Sequence, residues 1–188
     1  QPLLDRLAEQ TGELVRLSVV DEDRLTWVAR AQGARQGLRY DPDMGSIARL
    51  SCSSSGLAWL STMQDDDALA LVSQQGLGLP ADFGPNAPKT LTAFLKALQE
   101  TRQQGFSLTE ETYTPGLNAM AARVGLAGQL PMATISVAGP SARLTRERML
   151  AIAPELLACA AQLAAASGAS PMLTGGTSKV RLQPIYAA

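Results

Sequence analysis

Five small residues in a row, Ser51, Cys52, Ser53, Ser54 and Ser55, open directly into an apolar stretch that runs to Leu60. Leu57, Leu60 and Met63 then recur at helical spacing. A serine hydroxyl accepts a hydrogen bond from an orphan amide of a helix's first turn, so the spacing predicts a helix that begins within Ser51 to Ser54. The rest of the chain has to pack around this helix. Small side chains at its entry leave backbone amides uncovered at the positive end of the helix dipole, which suits a carboxylate or another anion. A plain capped helix after a loop accounts for the same residues.

Around that helix the alternation is of two kinds. Pro2 to Gln10 carries Leu3, Leu4, Leu7 and Ala8 on one helical face and stops at Thr11-Gly12. Leu14 to Val20 sets Leu14, Arg16 and Ser18 against Val15, Leu17 and Val19, a strand pattern. Asp21-Glu22-Asp23 is a hairpin turn, Leu25 to Ala31 the return strand with Trp27 and Val28 on opposite faces. Gly33 to Gly37 is a loop, and Leu38 to Tyr40 reads as a short third strand. After the central helix, Asp65 to Ser73 is a second helix. Its three leading aspartates suit the positive helix end; a metal-binding carboxylate triplet is the other reading. Gln75 to Pro88 is a glycine- and proline-rich loop. Thr92 is expected to cap a helix bearing Leu95, Leu98 and Arg102 that Gly105 ends.

Phe106 to Leu108 and Leu117 to Leu126 read as strands, with turns at Pro115-Gly116 and Gly128. Leu130 to Gly139 places Thr134, Ser136 and Ala138 on one face and Ile135 and Val137 on the other, and Pro140 stops it. Thr145 caps a last helix that Pro154 is expected to kink. The predicted fold is α+β, an antiparallel sheet of about six strands flanked by helices. Residues 169–188 have no helical period. Composition reads them as a disordered tail, in which Val180-Arg181-Leu182 is a possible edge strand for a neighbouring chain.

Composition removes whole classes of function. The 188 residues include no histidine. That leaves no Ser-His or Cys-His nucleophile pair, no imidazole metal site and no imidazole base. There is no GxSxG, Walker or GxGxxG motif. No catalytic residue, metal or cofactor is expected. Net charge is −1, without a basic cluster to track phosphates. No apolar run is read as approaching the roughly twenty residues of a membrane span, and no signal peptide is visible. Two distant cysteines, Cys52 and Cys159, make no disulfide framework and fit a reducing cytoplasm. Cys52 near a helix start is either a thiol of lowered pKa or a passive small residue. The abrupt helical start suggests a piece of a longer protein.

Three stretches carry a resemblance: MGSIARLSCSSSGLAWL, ETRQQGFSLTEETYTPGLNAMAARV and ATISVAGPSARLTRERM. In order and spacing they resemble the C-terminal effector-binding domain of IclR-type bacterial transcription regulators, over about Gln1 to Gly168. The resemblance implies a GAF-like curved sheet and a domain spanning residues 1–168, followed by the 169–188 tail. It also implies a separate N-terminal winged helix-turn-helix, absent from this chain, through which alone DNA would be bound. Pairing into homodimers or homotetramers is implied too, as is a small-molecule effector held between the central helix and the last strands. Ser54 and Ser55 fall at the family's backbone-contact positions, beside Ser53. Thr109, Ala119, Ser136 and Ala138 fall at other pocket positions. The family often has an acid at the position of Thr109, polar groups at Ala119 and Ala138, and histidine and lysine at Ser51 and Leu57. Smaller or less polar residues here imply a roomier, more apolar pocket for a medium-sized carboxylate, aromatic acids included.

Arg49 and Arg123 are candidate carboxylate partners by their charge, or solvated surface arginines. Met44 and Met120 are candidate pocket walls, or core. Trp59 reads as core or interface. Three functions compete: a ligand-sensing domain whose binding shifts a conformational equilibrium, an assembly domain with a vestigial pocket, and a small enzyme using Cys52 or a serine with a carboxylate or lysine base.

Overall fold

The strand alternation builds one sheet, and the sheet sorts the helices. The computed structural model describes residues 1–42, 44–77, 82–126 and 131–168. Among them, β1 (Leu14–Asp21), β2 (Arg24–Gln32), β3 (Ser107–Glu110), β4 (Leu117–Val124) and β5 (Ala133–Pro140) lie in the order β2-β1-β5-β4-β3, every neighbouring pair antiparallel. The helices are α1 (Pro2–Thr11), α2 (Ser54–Leu60), α3 (Asp65–Gln75), α4 (Leu91–Gln104) and α5 (Arg146–Gly168). The pairing of β1 with β5, from Leu14 with Ala138 to Val19 with Ala133, joins the two ends of the chain at the middle of the sheet.

Each sheet face carries its own core. Val15, Met120, Ile135 and Val137 face α1 and α5, meeting Leu4, Leu7, Met149 and Leu156. Leu25 and Trp27 face the other way, into a cluster with Leu57, Trp59 and Leu60 of α2, Val72 of α3, and Phe94 and Leu98 of α4. Covered on both faces, β5 is buried at every residue. Burial of a large apolar side chain stabilises by about 1.5–3 kcal/mol, so the fold rests on both layers.

One irregularity re-aims a side chain. The β1–β2 register slips between Leu17, opposite Ala29, and Ser18, opposite Trp27. Val28 is the extra residue of this β-bulge and stands 53% exposed. Strand faces alternate, so one inserted residue transfers everything beyond it to the other face. Trp27 thereby shares a face with Ser18 and, one step along β1, with Arg16.

The central helix starts where its serines predict. Ser53 is the N-cap, extended at φ −87°, and its hydroxyl accepts the Gly56 N–H at 3.1 Å. Seven residues are too few to be stable alone, so packing holds α2 in place. Gly56 permits that packing, since a Cβ there would lie 2.5 Å from the Leu50 carbonyl oxygen. Ser107 Oγ donates to the Ser54 carbonyl oxygen at 2.7 Å, and Thr112 Oγ1 donates to that of Cys52.

Several expectations change. Leu38 to Tyr40 forms no strand, which leaves five strands among the described residues. Helix α4 is capped by Thr90, whose hydroxyl accepts the Ala93 N–H, and not by Thr92. Strand β3 begins at Ser107, one residue after Phe106. Helix α5 starts after Thr145 as expected, the Thr145 hydroxyl accepting the Arg148 N–H, and Pro154 lies inside it. Contrary to the sequence reading, its Arg146–Ser167 portion is long and apolar enough to cross a membrane by length and composition. Here it lays Met149, Ala153, Leu156 and Ala160 on the sheet core, and alanines make up much of its exposed side. The turn at Gly128, the strand start at Leu130 and the 169–188 tail lie outside the described residues.

Candidate functional site

Where α2 begins, it stands over the row of small residues that crosses β3, β4 and β5. Thr109 pairs with Ala119, and Ala119 with Ala138. A narrow cavity lies between this row and the α2 entry. Ser53, Ser54, Thr109, Ala119 and Ala138 line it, with Asn118. Four large side chains that the sequence did not mark as site residues, Arg16, Trp27, Tyr40 and Tyr113, form much of the rest of the wall, with Thr114 and Leu117. They fill most of the space. About 20 Å³ remains, room for one water molecule. The expected roomier, more apolar pocket is therefore not what the structure shows. Small residues on the sheet are offset by large ones opposite.

Arg16 dominates the electrostatics. It is 5% exposed, and no carboxylate among the described residues pairs with it. The guanidinium carbon sits 4.0 Å from the Trp27 ring centroid and 5.6 Å from that of Tyr40. A desolvated cation over an aromatic face is held by the ring's quadrupole, which softens the cost of burial without removing it. Burial pushes the guanidinium below its ordinary pKa, while the two tyrosines pull it back up. Tyr113 meets Trp27 edge-on, 5.9 Å between centroids and 78° between planes, and burial raises its phenol. Two donors in this wall, Arg16 Nε and Trp27 Nε1, are buried with no acceptor among the described residues.

The remaining candidates are distributed as follows. Thr109 Oγ1 donates to the Ala119 carbonyl oxygen at 3.0 Å, tying β3 to β4 beside the cavity. Ser136 lies one step deeper, opposite Arg16 in the register, and its hydroxyl donates to the Arg16 carbonyl oxygen at 3.4 Å. Ser55 is buried, its hydroxyl unpartnered, and it does not line the cavity. Arg49 is a correction: its Nη1 donates to the Gln75 and Gly76 carbonyl oxygens at the end of α3. Met44 packs against the Trp27 core cluster, and Met120 lies in the core on the opposite sheet face, so neither forms pocket wall. Arg123 is exposed on β4.

Among the described residues no carboxylate lines the cavity, so its serines have no described base beside them. Ser51 and Cys52 border a separate cleft of about 330 Å³ with Asn86, Lys89 and Thr112. Burial pushes the Cys52 thiol up to about 12, against the lowered value that a helix start suggested. Asp65, first of the aspartate triplet, is bound to Arg102 at 2.6 Å. A larger hollow of about 570 Å³ at the β1–β2 turn, among Asp21, Glu22, Asp23 and Leu71, opens to solvent and has no unpaired buried polar atom in its wall.

A model of the bacterial transcriptional regulator IclR C-terminal domain matches residues 1–165. The chain is 26% identical over 170 residues to the HTH-type transcriptional repressor AllR of Salmonella typhimurium, covering 90% of this chain and 61% of that protein. It thus spans about six-tenths of the length of the curated relatives it matches. Among solved structures, a double mutant of the PobR inducer-binding domain from Acinetobacter, in complex with 3-hydroxybenzoic acid, has a TM-score of 0.75 at 24% identity, covering 87% of this chain and 94% of that one. Thermotoga maritima IclR gives 0.77 at 18%, covering 86% and 64%. These structural likenesses carry the fold.

Proposed function

The chain belongs to the family of bacterial transcriptional regulator IclR C-terminal domains, and on that premise we propose that it is a small-molecule sensor. It binds a small organic acid in the cavity between the start of α2 and strands β4 and β5. Binding shifts an equilibrium between arrangements of paired domains and so modulates DNA binding by a separate domain. In this reading the chain acts as a homodimer or homotetramer in the cytoplasm and performs no catalysis.

The observation that carries the proposal is the pair of uncompensated donors in one cavity wall: a buried arginine without a carboxylate among the described residues, and an indole N–H without an acceptor. The first calls for negative charge and the second for an acceptor, which a carboxylate supplies together. The PobR domain, named with an aromatic acid, shows this fold accommodating such a ligand in a relative. The effector contacts are Ser53, Ser54, Thr109, Ala119 and Ala138, with Ser55 and Ser136 behind them.

Thermal unfolding against a panel of small aliphatic and aromatic acids tests the reading. A ligand at a hundred times its dissociation constant adds about 2.7 kcal/mol to the folded state. Ser54→Trp, in a variant that keeps its circular dichroism, should abolish the shift. An equal shift in that variant sinks the placement. The narrowness of the cavity favours a second reading, an assembly domain whose pocket is filled by its own side chains. That reading expects no stabilisation by any acid.

A further inference from the structure

Arg16 differs from the arginines that are ion-paired. Arg30 has Asp41, Arg102 has Asp65, Arg146 has Glu110, and Arg143 and Arg148 share Glu13. Arg16 is more buried than any of these, and among the described residues it meets Trp27 and Tyr40 in place of a carboxylate. A planar group already lies in the slot made by Trp27 and Tyr40, and that group is its guanidinium. Beneath it the sheet offers Ala119 and Ala138, which give no hydrogen bond from their side chains and leave little space. A ligand therefore enters only by displacing something. Among the described residues the guanidinium is the one charged member of the wall; the Trp27 and Tyr113 rings are packed into the core cluster, and Tyr40 is half-buried in the loop after β2.

We propose that Arg16 is the specificity-determining residue of this cavity, recognising the carboxylate of an aromatic acid whose ring takes the guanidinium's place against Trp27. The proposal rests on the effector-site reading above and names its ligand class. The guanidinium fork and a carboxylate match as two parallel charge-assisted hydrogen bonds. Pairing neutralises the buried charge, and the indole face, released by the guanidinium, receives a ring of similar thickness. A second carboxylate on the ligand would be buried without a partner, so the acid is a monocarboxylate. A short aliphatic acid satisfies Arg16 but leaves the slot beside Trp27 unfilled.

Calorimetric titration of the unmodified chain with benzoate, benzamide, phthalate and propionate is the test. Benzoate should bind saturably, and each of the other three about tenfold or more weakly. In Trp59→Phe, where Trp27 is the only tryptophan, benzoate should change the emission and propionate should change it less. Arg16→Met should lose benzoate binding while melting at a higher temperature than the parent without ligand, because an unpaired buried charge has gone. Arg16→Lys, a charge without the fork, should fall between. Benzoate and benzamide binding alike, or benzoate retained by Arg16→Met, overturns the proposal, as does the absence of any response to benzoate. If aliphatic acids stabilise the parent and Ser54→Trp blocks them while benzoate does nothing, the effector site stands and this inference falls. If no acid of either kind binds, both fall.

Discussion

Two side chains near the entry of α2 behave in opposite ways. Arg16 is charged, buried and unpaired, while Cys52 is buried and kept neutral, its thiol pushed up to about 12. For Cys52 the folded value exceeds the ordinary one of 9.0. The neutral thiol's contribution to stability is thus fully present below about pH 9 and is lost as the pH rises toward 12. The thiol should therefore resist iodoacetamide in the native state at pH 8, and unfolding in urea should expose it to labelling. Rapid labelling of the native chain at pH 8 would count against a protonated, shielded thiol. Arg16 was not legible in the sequence, because Leu14, Arg16 and Ser18 read only as one face of an alternating strand. Alternation alone does not say whether the second face of an antiparallel sheet is wet or covered. A clue existed in ATISVAGP, which is apolar or small on both faces; a strand buried on both sides implies that its neighbours are too.

At the scale of elements, the α2 cap was legible because one serine run offers few alternatives, and Ser53 is the member that caps. The α4 cap was not, since Thr90 and Thr92 are equally good acceptors and only the backbone geometry chooses between them. The bulge at Val28 was invisible for a stronger reason. Nothing in RLTWVARAQ marks an inserted residue, and strict alternation sets Trp27 with Ala29, on the face away from Arg16. Deleting Val28 should leave Leu17 opposite Ala29 and Ser18 opposite Trp27 as consecutive pairs of a regular ladder, so Trp27 should stay in the Leu25–Phe94 cluster. Stability should change by less than about 1 kcal/mol, since the residue lost is half exposed and the core is kept. Urea unfolding and the tryptophan emission maximum report both. A red-shifted maximum with a loss of about 3 kcal/mol or more would mean that the hairpin slips and turns Trp27 out of the core.

For the whole molecule, the order of helices and strands was legible, and so was the α+β class. The strand order was not, since β1 meets β5 only through the closure of the full chain. That closure is clasped by Glu13, 1% exposed, which accepts from Arg143 at 2.6 and 2.8 Å and from Arg148 Nη1 at 3.4 Å. Hydrogen bonding to Glu13 lifts the Arg143 guanidinium above its ordinary pKa. Arg148 also donates to the Thr11 carbonyl oxygen at 2.6 Å, so the clasp gathers the end of α1, the start of β1 and the start of α5. Glu13 is buried but both arginines are about a third exposed, so Glu13→Gln should cost about 1–2 kcal/mol in chemical denaturation. A loss below half of that would show the clasp to be solvated in practice.

The same carboxylate occupies the place where a side chain at position 139 would stand: a Cβ on Gly139 would overlap Glu13 Oε2. Gly139 follows Ala138, a residue of the cavity wall, so the two positions form a lock between the wall and the link from α1 to β1. Such a lock has a genetic signature. In a library that randomises positions 13 and 139 together, acids at 13 should survive only with glycine at 139, and larger residues at 139 only with short ones at 13. Each half of the lock would look intolerant when varied alone, and tolerant when its counterpart is free to change with it.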